Sequence, residues 1–199
     1  MDLAVERFLL AELVEPERIL RQPDLVPRAS GVYGWWFGQV LHPQMSVDKC
    51  VRRDGFTLLY VGISPSKPRS DGSGGSRQTI RRRIRHHCRG KASTSTLRRS
   101  LGCLLADELG IELNAYGASG KCHFGSGEAA LSEWIAEHAR VSWIEHPEPW
   151  LVEDHLIATL DLPLNLEGNQ RHPFYSVLKR RRRDSTAGAR PITPRPDVG

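Results

Sequence analysis

The sequence predicts a mixed α/β fold of the α+β type, with helical additions at both ends. Three observations predict it. Two runs rich in aromatic and β-branched residues, 31–37 (Gly-Val-Tyr-Gly-Trp-Trp-Phe) and 57–63 (Thr-Leu-Leu-Tyr-Val-Gly-Ile), read as strands. A third such run lies at 140–145. Around these, apolar residues recur at helical spacing, as in Ile80, Ile84 and Cys88.

In chain order, residues 3–21 read as helical, with Leu3, Leu9, Leu10 and Leu13 giving a partial apolar face and Pro16 opening a second short helix. Residues 22–30 carry two prolines and connect to the first strand. The long connection to the second strand holds Pro43 and a charged tip, Arg52-Arg53-Asp54-Gly55, whose Asp-Gly pair is a turn signal. Residues 64–77 are turn formers, and a mobile loop is expected there. Helices follow at 79–89 and 96–109, the second capped by Ser95 or Thr94 and ended by Gly110. Residues 111–127 read as a short strand and loop, 128–139 as a helix, and 149–160 as a helix opened by Pro149. Pro163-Leu164-Asn165 ends it. A last basic helix is expected at 173–183, and the tail from Ser185, rich in proline and glycine, is expected to be disordered.

The 199 residues suit one domain with additions. The net charge of +5 is compatible with a polyanionic partner without requiring one. Cys50, Cys88, Cys103 and Cys122 form no CxxC pair and no paired framework, and read as free thiols in a reducing compartment. The N-terminus lacks a basic start followed by an apolar run, and no apolar stretch approaches the ~20 residues that span a bilayer. The expectation is a cytoplasmic protein that does not enter membranes.

The residues able to carry chemistry fall in four places. The segment 79–89 has five arginines and no acid; in a helix Arg83 and His87 share a face beside the Ile80, Ile84 and Cys88 stripe. Arg83 could fork onto a phosphate there. A solvated basic face accounts for the same pattern. Lys91, Arg98 and Arg99 extend the patch. Glu153 sits on a stripe with Trp150, Ile157 and Leu160, where a carboxylate needs a cation or an arginine unless it is a rim-exposed charge at a helix start. Tyr33 and Tyr60 each lie in a strand beside a glycine, either as packing aromatics or as phenols that orient or deprotonate a water. Gly62 would let a backbone approach where a side chain would block it. Lys179, Arg180, Arg181, Arg182 and Arg183 are five consecutive basic residues suited to phosphate attraction. Zinc is disfavoured, because Cys88 with His86 and His87, and Cys122 with His123, lack the spacing of a structural site.

Taken in order, Gly31-Val32-Tyr33, Tyr60-Val61-Gly62, Ile80-x-x-Arg83-Ile84-x-x-His87, Glu153-x-x-Leu156-Ile157 and Pro163-Leu164-Asn165 resemble the catalytic domain of the GIY-YIG nuclease superfamily over about residues 30–168. The resemblance implies a small central three-stranded sheet flanked by helices, and hydrolysis of one phosphodiester with one divalent ion, Mg2+ or Mn2+. It implies Tyr33, Tyr60, Arg83, His87, Glu153 and Asn165 as catalytic residues, Glu153 as the metal ligand, and Gly31 and Gly62 as points of backbone approach. Arg81, Arg82, Arg85, Arg89, Lys91, Arg98 and residues 179–183 would bind nucleic acid, DNA favoured over RNA. The organisation is then a helical extension at 1–29, a nuclease-like domain at 30–168 with insertions at about 38–56 and 110–138, a basic segment at 169–184 and a tail at 185–199. No DNA-reading module is evident, which leaves room for a protein partner or a homodimer. The alternative is a nucleic-acid-binding module that keeps the fold and does not cut.

Overall fold

The computed structural model describes residues 3–68, 78–116 and 121–192. In chain order the elements are α1 (Leu3–Leu10), α2 (Pro16–Arg21), β1 (Gly31–Phe37), β2 (Arg52–Arg53), β3 (Phe56–Ser64), α3 (Ile80–Arg89), α4 (Thr96–Leu104), α5 (Ala106–Leu109), β4 (Asn114–Tyr116), β5 (Lys121–His123), α6 (Gly127–His138), β6 (Ala139–Glu145), α7 (Pro149–Thr159), α8 (Tyr175–Ala187) and β7 (Arg190–Ile192). Among the described residues no helix is long and apolar enough to cross a membrane.

β1, β3 and β6 form an antiparallel sheet with β1 at its centre, and all seven residues of β1 are buried. Its continuous apolar character follows from cover on both faces. Tyr33, Trp35, Phe37 and Leu59 pack with α3 and with Leu97, Leu101, Leu131 and Ile135 of α4 and α6. On the opposite face Val32, Trp36, Leu58 and Val61 pack with Val5 and Phe8 of α1 and with Val152 and Leu156 of α7.

The sheet has four strands rather than three. β2 pairs with the start of β3 around the Asp54-Gly55 turn, whose residues take φ 52° and 79°. Two residues are too short to show a period, so only the turn signal betrayed it. The Arg53 guanidinium donates to the carbonyls of Leu9 and Ala11 at the end of α1, which anchors this hairpin. A second, three-stranded sheet has the order β5-β4-β7.

The helix expected over 96–109 is broken at Leu105, and Gly110 closes the shorter α5 in the left-handed conformation. The tail expected to be disordered from Ser185 is in part ordered. α8 runs to Ala187, where Arg99 donates to the Thr186 hydroxyl (2.7 Å), and β7 pairs in parallel with β4. The expected mobile loop at 64–77 and the tail lie outside the described residues at 69–77 and 193–199.

Arg98 requires a correction. It is 0% exposed and cannot contact nucleic acid. Its Nη2 and Nε donate to Glu128 Oε2 (2.7 and 3.1 Å), and its Nη1 donates to the carbonyls of His87 and Cys88 (3.2 and 3.0 Å). Glu128 Oε1 in turn accepts from the backbone of Ala92 (2.7 Å). The pair therefore clamps the end of α3 to α4 and α6. Arg98→Ala is expected to cost about 3–5 kcal/mol in denaturant unfolding, because it strands the Glu128 carboxylate.

Candidate active site

Strand register sets the first part of the site. Tyr33 lies opposite Gly62, and Trp35 opposite Tyr60. The register then slips between Trp35 and Trp36, so that Trp36 faces Leu58 and Leu59 is the extra residue. This bulge keeps Tyr33, Leu59 and Tyr60 on one face of the sheet while Leu58 returns to the other core.

What approaches Gly62 closely is the ring of Tyr33. A Cβ at Gly62 would lie 2.6 Å from the Tyr33 hydroxyl oxygen and 2.8 Å from Cζ. At Gly31 the neighbour is β6, where a Cβ would lie 2.2 Å from the Ile144 carbonyl oxygen. Gly62→Ala should therefore push the phenol off its partner. We expect a loss of about 1–3 kcal/mol in thermal unfolding together with loss of the site's activity.

That partner is His87. Thr79 caps α3, accepting from the Arg82 N–H (3.4 Å), and the helix carries His87 behind Tyr33. The Tyr33 hydroxyl and His87 Nε2 are 2.9 Å apart, and His87 Nδ1 and Ser95 Oγ are 2.7 Å apart. Ser95 Oγ also accepts from the Arg98 N–H (3.1 Å). His87 is 0% exposed, so it meets a substrate only through Tyr33. Burial, then the charges of Arg83, His86 and Arg98, hold the imidazole well below its usual 6.5. Burial, reinforced by Tyr60, raises the Tyr33 phenol well above 10, although Arg83 works against it. Both partners are thus neutral near pH 7.

In front of Tyr33 opens a cavity of about 700 Å3 lined by Tyr33, Tyr60, Arg83, Glu153 and Asn165. One turn of α3 before His87, Arg83 donates to the Thr94 carbonyl (3.1 Å) and lies beside the Tyr33 hydroxyl. The Tyr60 hydroxyl is 3.5 Å from Thr96 Oγ1. Asn165 is committed to β3: its Oδ1 accepts from the Val61 N–H and its Nδ2 donates to the Val61 carbonyl, both at 2.9 Å. It positions the Tyr60 strand and has little left to offer a substrate.

Glu153 comes from α7, whose Val152 and Leu156 enter the core. The stripe Trp150, Glu153 and Ile157 faces the cavity instead. Burial, then repulsion by Asp154 and Glu167, pushes the Glu153 carboxyl up to about 7. The hydrogen bonds and ion pairs of the described residues give it no cationic partner; Lys67 pairs with Asp154 instead (3.4 Å). A divalent cation fits this donor set, since positive charge would relieve a desolvated carboxylate beside two others. Among the described residues no three His, Cys, Asp or Glu side chains gather as a metal cluster. The protein would supply Glu153 and leave the other positions to water and substrate, as magnesium tolerates.

The remaining arginines divide by position. Arg82, Arg85 and Arg89 are exposed and line a basic groove with Arg28 on the outer side of α3. Arg81 lines it too, but its guanidinium is tied to the Val26 carbonyl and to Asp24, both at 2.6 Å. Lys91, Lys179, Arg180 and Arg183 are exposed, and Lys179 lies over the Tyr175 ring. Arg181 reaches His42 Nε2 (3.3 Å). Arg182 alone of the run at 179–183 turns into the main cavity, where burial and the Arg99 charge lower its pKa. Nothing in five consecutive basic residues signals which one turns inward.

Comparison with curated proteins and with solved structures finds no match. Among protein families, the GIY-YIG catalytic domain matches residues 31–184, from the first residue of β1 into α8. That match covers most of the chain and spans every residue that lines the cavity described above. The chain belongs to the GIY-YIG catalytic domain family, whose general activity is that of a nuclease.

Proposed function

We propose that this chain is a divalent-metal-dependent endonuclease that hydrolyses phosphodiester bonds, with DNA as the favoured substrate. The observation that carries the reading is the convergence of Tyr33, Tyr60, Arg83 and Glu153 on one cavity. Magnesium or manganese held by the Glu153 carboxylate would neutralise charge at the phosphoryl oxygens and the leaving oxygen. Arg83 forks onto the scissile phosphate. Tyr33 accepts a proton from the attacking water as it passes its own to His87 Nε2, and Ser95 steadies the imidazole from behind. A neutral His87 leaves Nε2 free to accept that proton, and a phenol raised well above 10 needs such an acceptor because it is a poor source of phenolate on its own. Tyr60 helps position the water or the phosphate, and Asn165 holds its strand.

The competing reading is a nucleic-acid-binding module that does not cut. A panel of plasmid, single-stranded, flapped and branched DNA, with matching RNA, separates the two. The expected result is cleavage with Mg2+ and none with EDTA. Salt-sensitive binding without cleavage of any member would favour the binding module.

A further inference from the structure

We infer that Trp150 is a stacking platform for an unpaired nucleobase beside the scissile phosphate, so that the substrate is single-stranded at the cut. The inference rests on the nuclease reading above and specifies its substrate.

Trp150 lies on the first turn of α7, three residues before Glu153, and both side chains line the same cavity. Of the five tryptophans, Trp35 and Trp36 are 0% exposed, Trp134 is 5% exposed, and Trp143 packs against the core. Trp150 belongs to neither core cluster, although Val152 on the same helix does. The ring stacks and cation–π contacts of the described residues do not include it. A partly exposed aromatic side chain therefore lines the cavity one helical turn from the catalytic carboxylate, outside the two core clusters that account for the other four tryptophans.

The rest of the lining says what would cover it. Arg83 and Arg182 line the same space, as does Lys67, which pairs with Asp154; the carboxylates there, Glu153, Asp154 and Glu167, lie together on the side where the divalent ion would sit. An aromatic face among cations is the recognition chemistry of a nucleic-acid strand, with bases on the ring and phosphates on the cations. In a duplex, both faces of a base are already stacked, and exposing one costs unpairing. An unpaired nucleotide offers its face without that cost.

Binding is measured with the non-cleaving Glu153→Gln protein, with and without Trp150 replaced. The probes are a single strand, a flap with its unpaired nucleotide at the junction, and a fully paired duplex of equal length. Trp150→Ala should weaken the single strand and flap about tenfold and leave the duplex nearly unchanged. Trp150→Phe, which keeps an aromatic face, should retain most of the affinity. A 2-aminopurine in the unpaired stretch should be quenched by the protein with Trp150 and much less by Trp150→Phe, a readout that stands even where the alanine variant fails to fold. An equal loss on paired and unpaired probes, or no quench difference, overturns the inference. A parent that binds and cuts paired DNA, indifferent to Trp150, overturns this inference alone. A parent that neither binds nor cuts any probe overturns the nuclease reading with it.

Discussion

Glu153→Gln is expected to melt about 5 °C above the parent at pH 8 and at the same temperature near pH 4. Folding raises the carboxyl from 4.5 to about 7. Between those values the folded chain keeps a proton that the unfolded chain has released, so stability falls as pH rises through the window. Above pH 7 the full cost of a desolvated charge is present, on the order of 2 kcal/mol after allowance for partial solvation. Glutamine keeps the shape and removes the charge. A divalent ion at pH 8 should raise the melting temperature of the parent and leave the variant unmoved. Since ion and proton compete for one carboxylate, the apparent ion affinity should climb from pH 6 to 8 and level off above. A variant that melts at or below the parent at pH 8 would show that Glu153 is held by a protein cation after all.

Removing the Tyr33 hydroxyl should have the largest effect on rate short of removing the metal ligand. Tyr33→Phe is expected to slow single-turnover cleavage by about 10²–10⁴-fold with little change in substrate affinity. His87→Gln should approach the same loss, although the buried imidazole never touches substrate, because the Tyr33 proton then has no base to receive it. In the relay the double variant is little slower than either single one. Full additivity of the two losses would mean that the residues act separately. Because burial holds His87 well below 6.5, the step it governs should stay independent of pH from neutral upward.

Much of this arrangement was legible in the sequence, for identifiable reasons. β1 and β3 were readable because a strand covered on both faces is apolar throughout, and α3 because Ile80, Ile84 and Cys88 repeat at helical spacing. The stripe of Trp150, Glu153 and Ile157 was also readable, but periodicity cannot tell a stripe facing the core from one facing a cleft. The true core stripe, Val152 and Leu156, lies one position away. Arg98 misled because an arginine in a basic run looks like its neighbours; its partner Glu128 is thirty residues on, and nothing local announces the pair. The bulge at Leu59 was hidden for a similar reason. It belongs to the pairing of β1 with β3 and leaves no mark on either strand alone. Arg83 and His87 do lie one turn apart on α3, yet the buried place of His87 behind Tyr33 follows from packing across the sheet and not from the helix pattern.

The central claim is that a divalent ion held by Glu153 makes this cavity a nuclease. The most direct measurement is single-turnover cleavage of a flapped DNA across a Mg2+ titration, with parent and Glu153→Gln purified side by side. The account predicts saturable, ion-dependent cleavage by the parent and a rate lower by about 10³-fold or more in the variant at every concentration. Equal cleavage by the two proteins would contradict it and place the chemistry elsewhere.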